Sequence, residues 1–306
     1  MRFSVTYPII DSSYDPVLVT GEALKEFCQT AERCGFDGVG FTDHPAPTAK
    51  WLHSGGHDAL DPFVALAFAA AATERIRLIP NIVVLAYRHP LIVAKMVATL
   101  DSLSGGRFTL AVAAGYLRGE YRALGIDFDQ RNALFDQSLT VLRGIWTEDN
   151  FVFDGIGIEA HGLDANPKPS PHPPIWIGGN SKLARRRVAQ AADGWTPFPA
   201  ARERSQTTKT PPLETLEDLA IMIDELREFI DEAGRKQDEI DISFGSSKGG
   251  SPGSRHFDPD KHLEGVKDLA GLGVTWVHTG VPGGSLAQAL EALEEYGETV
   301  IKSSRS

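Results

Sequence analysis

Four short clusters of polar and glycine residues interrupt apolar stretches of this chain, and each suggests a different chemistry. Thr42-Asp43-His44-Pro45 sets a carboxylate beside an imidazole, so the pair could hydrogen-bond a ligand heteroatom and move a proton at a reacting ring near neutral pH. The same residues also suit a strand-end turn, with Asp43 accepting backbone amides and Pro45 stopping the strand. Asn81 breaks the apolar run at 79–85, and an amide facing inward there has to be hydrogen-bonded. Ala113-Ala114-Gly115-Tyr116 is small enough to let a flat molecule reach the backbone, and small enough to fill a tight packing layer. Gly178-Gly179-Asn180-Ser181 follows an apolar strand: the glycines allow a sharp turn, and Ser181 or Asn180 caps a helix whose unpaired N–H groups attract a phosphate. That tetrapeptide is also an ordinary strand-to-helix turn, so its surroundings decide.

The elements that carry these clusters alternate along the whole chain. Apolar, β-branched strand patterns occupy 3–7, 38–42, 76–84, 108–113, 175–177, 194–196, 240–244 and 274–278, with helix-period segments between them. Leu216, Leu219, Ile223, Leu226 and Ile230 trace one helix face, and Gly234 stops it. Leu286, Leu290, Leu293 and Val300 trace another on the last helix. Eight strand–helix pairs predict a (β/α)8 TIM barrel, in which functional groups gather at the C-terminal strand ends. An open doubly wound sheet is the structural alternative. Residues 1–306 are expected to form one barrel domain. An insertion at 117–173, between the fourth and fifth strands, carries a helix at 132–146 and a hairpin turning at Asp154-Gly155, and it reads as decoration on the barrel.

Bulk properties narrow the function classes. The net charge is −11 and the basic residues are dispersed except for the triplet at 185–187, which reads as a solvated helix face, with contact of one arginine to an anionic ligand tail as the alternative. Broad attraction to nucleic acid or to an anionic membrane is not expected. No apolar run approaches a membrane span, and the chain opens directly into a strand with no signal-peptide pattern. The two cysteines, Cys28 and Cys34, fall on different faces of one helix, so neither a disulfide nor a metal framework is expected and a cytoplasmic location follows. His53, His57 and Asp58 are the one candidate metal group, but Gly55-Gly56 breaks the helical spacing it would need, and no metal is assigned. The glycine- and serine-rich run at 245–254 reads as a mobile loop after the seventh strand, also a usual barrel position for phosphate.

The segments FTDHP, ATERIRLIPNIVVLAYRHP, KMVATLDSLSGGRFTLAVAAGY and PPIWIGGNS…AADGWTPF, in that order, resemble the bacterial luciferase-like monooxygenase superfamily, specifically its coenzyme F420-dependent oxidoreductase branch. The resemblance spans residues 3–200 and continues beyond only as architecture. It implies an enzyme that moves a hydride between the deazaflavin F420 and a small organic substrate. The runner-up it implies is an FMN-dependent two-component monooxygenase, and a third reading is a non-catalytic flavin- or deazaflavin-binding barrel. Carried over by motif, Asp43 and His44 contact the polar edge of the ring, with His44 as proton relay. The Asn81-Ile82 peptide, often a cis bond in the family, supports the ring from behind. Ala114 and Gly115 line the ring's path, and Gly178, Gly179, Asn180 and Ser181 hold the phosphate. Gly194 and Trp195 close over it, although Trp195 and Phe198 equally suit barrel packing. Trp51, His53 and Tyr116 would form the substrate pocket, and Trp51, His53 and His57, in the loop after the second strand, read as a lid or substrate wall. Tyr116 stands where family members acting on sugar phosphates or alcohols carry an acid, a departure from their pattern. A homodimer through helices near 61–104 is the expected assembly.

Overall fold

The computed structural model describes residues 1–10, 13–203, 205 and 209–305. Its main sheet contains β1 (Arg2–Thr6), β2 (Gly38–Gly40), β3 (Arg77–Leu78), β4 (Val83–Val84) and β5 (Leu110–Ala113). After a separate hairpin, β6 (Phe151–Gly155) and β7 (Ile158–Leu163), it adds β8 (Ile175–Gly178), β9 (Gly194–Thr196), β10 (Asp241–Phe244) and β11 (Trp276–Gly280). All main-sheet pairs are parallel, in the order β3-β2-β1-β11-β10-β9-β8-β5-β4. The two ends of that order, β3 and β4, are halves of one extended segment. Leu78 bridges to Phe108, with Leu78 N donating to Arg107 O and Thr109 N donating to Leu78 O, each at 3.0 Å. The sheet therefore closes on itself as the expected eight-position barrel.

The third predicted strand, 76–84, is interrupted for a local reason. Pro80 has no N–H for the ladder, and the Asn81 side chain turns inward to donate to Thr6 Oγ1 at 3.0 Å and to His278 Nε2 at 3.1 Å. The Asn81-Ile82 peptide is cis.

Around the barrel, helices start where their caps put them. Thr20 caps α1 (Gly21–Arg33), which buries Leu24, Phe27, Cys28 and Ala31, while Cys34 forms its C-cap; both thiols are free. Thr48 caps the short α2 (Ala49–His53). Asp61 accepts from the N–H groups of Phe63 and Val64 to start α3 (Pro62–Ala72), and α4 (Pro90–Leu103) begins on Pro90. α5 (Arg118–Ala123) and α6 (Arg131–Thr147) lie between β5 and the hairpin. The hairpin turns at Ile156-Gly157 rather than at Asp154-Gly155, because Gly155 already pairs with Ile158 and Gly157 takes the positive φ of 67°.

Ser181 caps α7 (Lys182–Ala191), and a Thr215/Asp218 capping box opens α8 (Leu216–Glu232). α9 (Pro259–Leu272) and α10 (Leu286–Tyr296) complete the ring. Among the described residues no helix is long and apolar enough to cross a membrane.

One apolar core fills the space between sheet and helices, and a smaller one inside the barrel joins Ile79, Ala111, Trp176 and Trp276. The two indoles meet edge to face with centroids 5.3 Å apart. Gly194 makes room for them, since a Cβ there would lie 2.3 Å from the Trp176 ring.

Candidate active site

The C-terminal strand ends open into a cavity of about 1050 Å³. At its side wall, β2 runs on to Asp43 and His44. The Asp43 carboxylate is buried and takes both guanidinium nitrogens of Arg88, at 2.6 and 2.8 Å, together with the N–H of Val84 at 2.8 Å. Arg88 also reaches Asp61 at 3.4 Å, so this network ties the β2 end to β4 and to the start of α3. Asp43 reaches the cavity wall, but its carboxylate charge is spent inside the protein.

His44 has a different partner. Its Nδ1 lies 3.3 Å from Oε2 of Glu120 on α5, a side chain with no exposed surface. Glu120 also accepts the Tyr87 hydroxyl at 2.9 Å and the Ala46 N–H at 3.1 Å. Burial pushes the Glu120 carboxyl up, but the His44 bond and charge, the Ala46 amide and the Tyr87 hydroxyl outweigh it and hold it below its ordinary value. Burial first, and then Glu120, push the Tyr87 phenol up. With Nδ1 directed at Glu120, Nε2 is the ring nitrogen His44 has left for the cavity it lines. A helical turn after Gly115 and Tyr116 brings Glu120 back under the β2 end.

The substrate-pocket residues separate. Tyr116 lines the cavity, and its ring centroid is 6.4 Å from that of His44. Burial, with a smaller push from Glu120, raises its phenol. The Trp51 ring lies 4.5 Å from His44 and covers it from α2. His53 is exposed at the end of α2 and away from the cavity, because the helix turns it outward; His57 occupies the wall instead. The possible metal group does not assemble: His57 Nδ1 is 2.9 Å from the Asp58 carbonyl, and the Asp58 carboxylate takes the Tyr14 hydroxyl.

Ile82, Ala114 and Gly115 line the floor. Gly115 is required twice over, by its φ of 73° and by Val84, whose Cγ1 would sit 2.5 Å from an added Cβ. Below them, His278 Nε2 lies 3.0 Å from Thr6 Oγ1 and accepts from Asn81, and burial pushes this imidazole down to about 4. A neutral ring fits the amide it accepts from.

Gly178, Gly179 and Ser181 line the far end, where Ser181 Oγ takes the Ala184 N–H at 3.1 Å and Leu183 and Ala184 of the first turn of α7 also line the cavity. A Cβ on Gly178 would lie 2.4 Å from Ile82 Cδ1, and Gly179 has φ 105°. Asn180 points away from the cavity. Fully buried, it donates to the carbonyls of Phe198 and Pro211, accepts from Phe198 N, and clamps the chain after β9. Of the 198–213 loop, Arg204, Gln206, Thr207 and Thr208 lie outside the described residues. Trp195 is likewise behind the wall, fully buried, its indole N–H donating to the Gly179 carbonyl at 3.0 Å. Gly194 serves the indole layer inside the barrel, and the cavity begins one residue beyond Trp195, at Thr196.

Three expectations from sequence change here. The basic triplet is not a solvated face: Arg185 and Arg187 are buried, Arg185 pairing with Glu225 and Arg187 with Asp136 at 2.6 and 2.9 Å, and only Arg186 is exposed. Through Arg187 the inserted helix α6 is docked onto α7, so Arg131, Asn132 and Phe135 form cavity wall rather than decoration. The 245–254 loop is anchored: Asp258 N donates to Gly249 O, Phe257 N to Ser254 O, and His262 Nδ1 lies 3.0 Å from Lys248 O. Its Ser246, Ser247, Ser251 and Ser254 face the cavity.

With this geometry in place, comparison with known proteins is informative. Residues 1–247 match the family model for luciferase-like monooxygenases. An FMNH(2)-dependent dimethylsulfone monooxygenase of Pseudomonas putida is 33% identical over 175 residues, covering 55% of this chain and 46% of that protein. An F420-dependent glucose-6-phosphate dehydrogenase of Microbacterium testaceum is 28% identical over 256 residues, covering 82% of this chain and 70% of that protein. The chain thus spans about half the length of the first of these curated relatives. The crystal structure of the monooxygenase RslO1 from Streptomyces bottropensis superposes with a TM-score of 0.82 at 21% identity, covering 99% of this chain and 100% of that one, a likeness of fold. Barrel, strand-end site and family model agree: the chain belongs to the luciferase-like monooxygenase family.

Proposed function

We propose that this protein is an F420-dependent oxidoreductase that moves a hydride between the deazaflavin and a small organic substrate. One juxtaposition carries the reading: a single cavity joins the Asn81-Ile82 peptide and Gly115 to the N-terminus of α7, with His44 on its wall. A flat ring with a phosphorylated tail suits that shape, since bare glycine backbone at 178–179 and the α7 N–H groups provide for an anion. Alignment of the F420-dependent relative over 82% of the chain supports the cofactor.

When bound, F420 supplies a hydride at its ring carbon. The chain's own residues do the rest. Ile82, Ala114 and Gly115 give the ring a flat apolar seat, and Gly179 and Ser181 hold the tail. His44, fixed through Nδ1 by Glu120, takes or gives a proton at Nε2 as the substrate heteroatom changes protonation. Tyr116 and His57 form the adjoining substrate wall. Saturable binding of F420 followed by fluorescence tests the reading; no binding in either redox state overturns it.

A second reading is favoured by the 33% identity to the FMNH(2)-dependent enzyme. Reduced FMN would occupy the same seat and react with oxygen. Tighter binding of FMN than of F420, with flavin-dependent oxygen uptake, would establish it. A His44→Ala variant that binds cofactor and keeps its turnover would move catalysis away from His44, and a wild-type protein that binds cofactor without turnover in any assay would favour the binding-only barrel.

The same proposal includes a homodimer and a cytoplasmic location. α3 is apolar on all sides and leaves Val64 and Phe68 59% and 57% exposed, with Ile92 on α4 at 60%. Such a face on neighbouring helices suits a second copy. Two free thiols suit a reducing compartment.

A further inference from the structure

His57 is so far only part of the substrate wall, yet it lines the cavity directly beside His44. The two imidazole centroids are 4.9 Å apart at an interplanar angle of 75°, and the Trp51 ring lies 4.5 Å from one and 5.4 Å from the other. The loop that delivers His57 is shaped for this contact: a Cβ on Gly56 would fall 2.3 Å from the Trp51 ring, so only glycine lets the chain pass close over the indole.

Hydrogen bonding assigns the free nitrogen on each ring. His57 Nδ1, 2.9 Å from the Asp58 carbonyl, donates to it and leaves Nε2 as acceptor. His44 Nδ1 is directed at Glu120, which also leaves Nε2. The two remaining Nε2 atoms thus belong to adjoining rings at one wall, with ring centroids 4.9 Å apart. His44 is enclosed by Trp51, Tyr116 and the buried Glu120, whereas His57 is half-buried on a surface loop.

We propose that His57 is the proton carrier that connects His44 to solvent. A proton on His44 Nε2 passes to His57 Nε2; the His57 Nδ1–H stays on the Asp58 carbonyl, and the proton then leaves to bulk water. Reversing the order reloads His44. No electrons move, and no group besides water is needed. The titratable groups facing His57 are His44 from the β2 end, Glu120 from α5 and Asp58 from its own loop; Tyr116 faces His44 from the β5 end. Burial lowers the His57 imidazole, the charge of His44 lowers it further, and the Asp58 carbonyl, with Asp58 and Glu120, opposes. A carrier disposed to give up its proton is the result.

This inference rests on the proposed proton role of His44, and its test needs neither cofactor nor substrate. Nitrogen-resolved NMR titration of the free protein, wild type and His44→Asn, gives the His57 midpoint in each. His57 should be in the Nδ1–H tautomer when neutral. In His44→Asn the His57 midpoint should rise by about half a pH unit or more, as expected for removing a like charge some 5 Å away. A His57 midpoint unmoved in His44→Asn would overturn the proposal. If cofactor binds and the imidazoles titrate independently, the proton path falls alone; if no cofactor binds while the coupling is present, the proposed function falls instead.

Discussion

His44 Nδ1 lies 3.3 Å from the buried Oε2 of Glu120. This contact fixes which imidazole nitrogen is available to a ligand, and it does so through a carboxylate that is itself held by Tyr87 and Ala46. In Glu120→Gln the shape persists but the buried negative charge beside His44 Nδ1 is gone. We expect kcat/KM to fall about tenfold or more and its pH profile to move, with cofactor affinity nearly unchanged. His44→Ala should cost about 10²- to 10⁴-fold, the usual range for a general acid or base. Steady-state kinetics with a fluorescence-measured Kd separates the two effects.

Gly115→Ala should damage both stability and the cofactor seat. The new methyl meets Val84 Cγ1 at 2.5 Å, and the φ of 73° disfavours any side chain. A loss of about 1–3 kcal/mol is expected. Calorimetry should show a melting temperature several degrees lower, with F420 affinity reduced in parallel. A variant as stable as wild type would contradict the close packing of β5 on β4.

Asn180→Ala removes a clamp rather than a ligand. Its amide serves Phe198 N, Phe198 O and Pro211 O, and losing it strands those groups at about 1–3 kcal/mol each unless water replaces it. Limited proteolysis should then cut faster near Lys209. Unchanged protection would mean that the segment is held elsewhere.

Acid should weaken the fold in two windows. His278, at about 4 in the fold against an ordinary 6.5, is kept neutral by burial, and burial lowers His57 and His262 as well. The unfolded chain takes up these protons first, so stability is full above about pH 6.5 and is lost as pH falls toward 4. Glu120 acts lower: its carboxylate contributes stability above about pH 4.5, which is lost as pH falls through its depressed folded value. Urea titrations from pH 7 to 4.5 should show a falling midpoint, with a shallower fall in His278→Gln.

Phe68→Glu tests the assembly. If a second copy covers α3, sedimentation at micromolar concentration should return a dimer for the wild type and a monomer for the variant. A monomeric wild type would refute the dimer.

The sequence by itself determined the barrel, because alternating strand and helix periods with short connections fit few topologies, and its strand-end motifs marked the places where the cavity opens. His44, Gly115, Gly178, Gly179 and Ser181 reach that cavity because each stands at a strand end, where position along the chain and position in the site coincide. Only the tertiary structure decided how the polar groups pair. Asp43 was legible as a strand-end acid, but not its bond to Arg88, 45 residues away. Glu120, 76 residues from His44, carried no periodic signal pointing back to it. The burial of Arg185 and Arg187, and which of His53 and His57 reaches the wall, could not be read from local pattern. Periodicity reports which face of an element is apolar; which charges meet is set by long-range packing, and in this site the pairing fixes the chemistry.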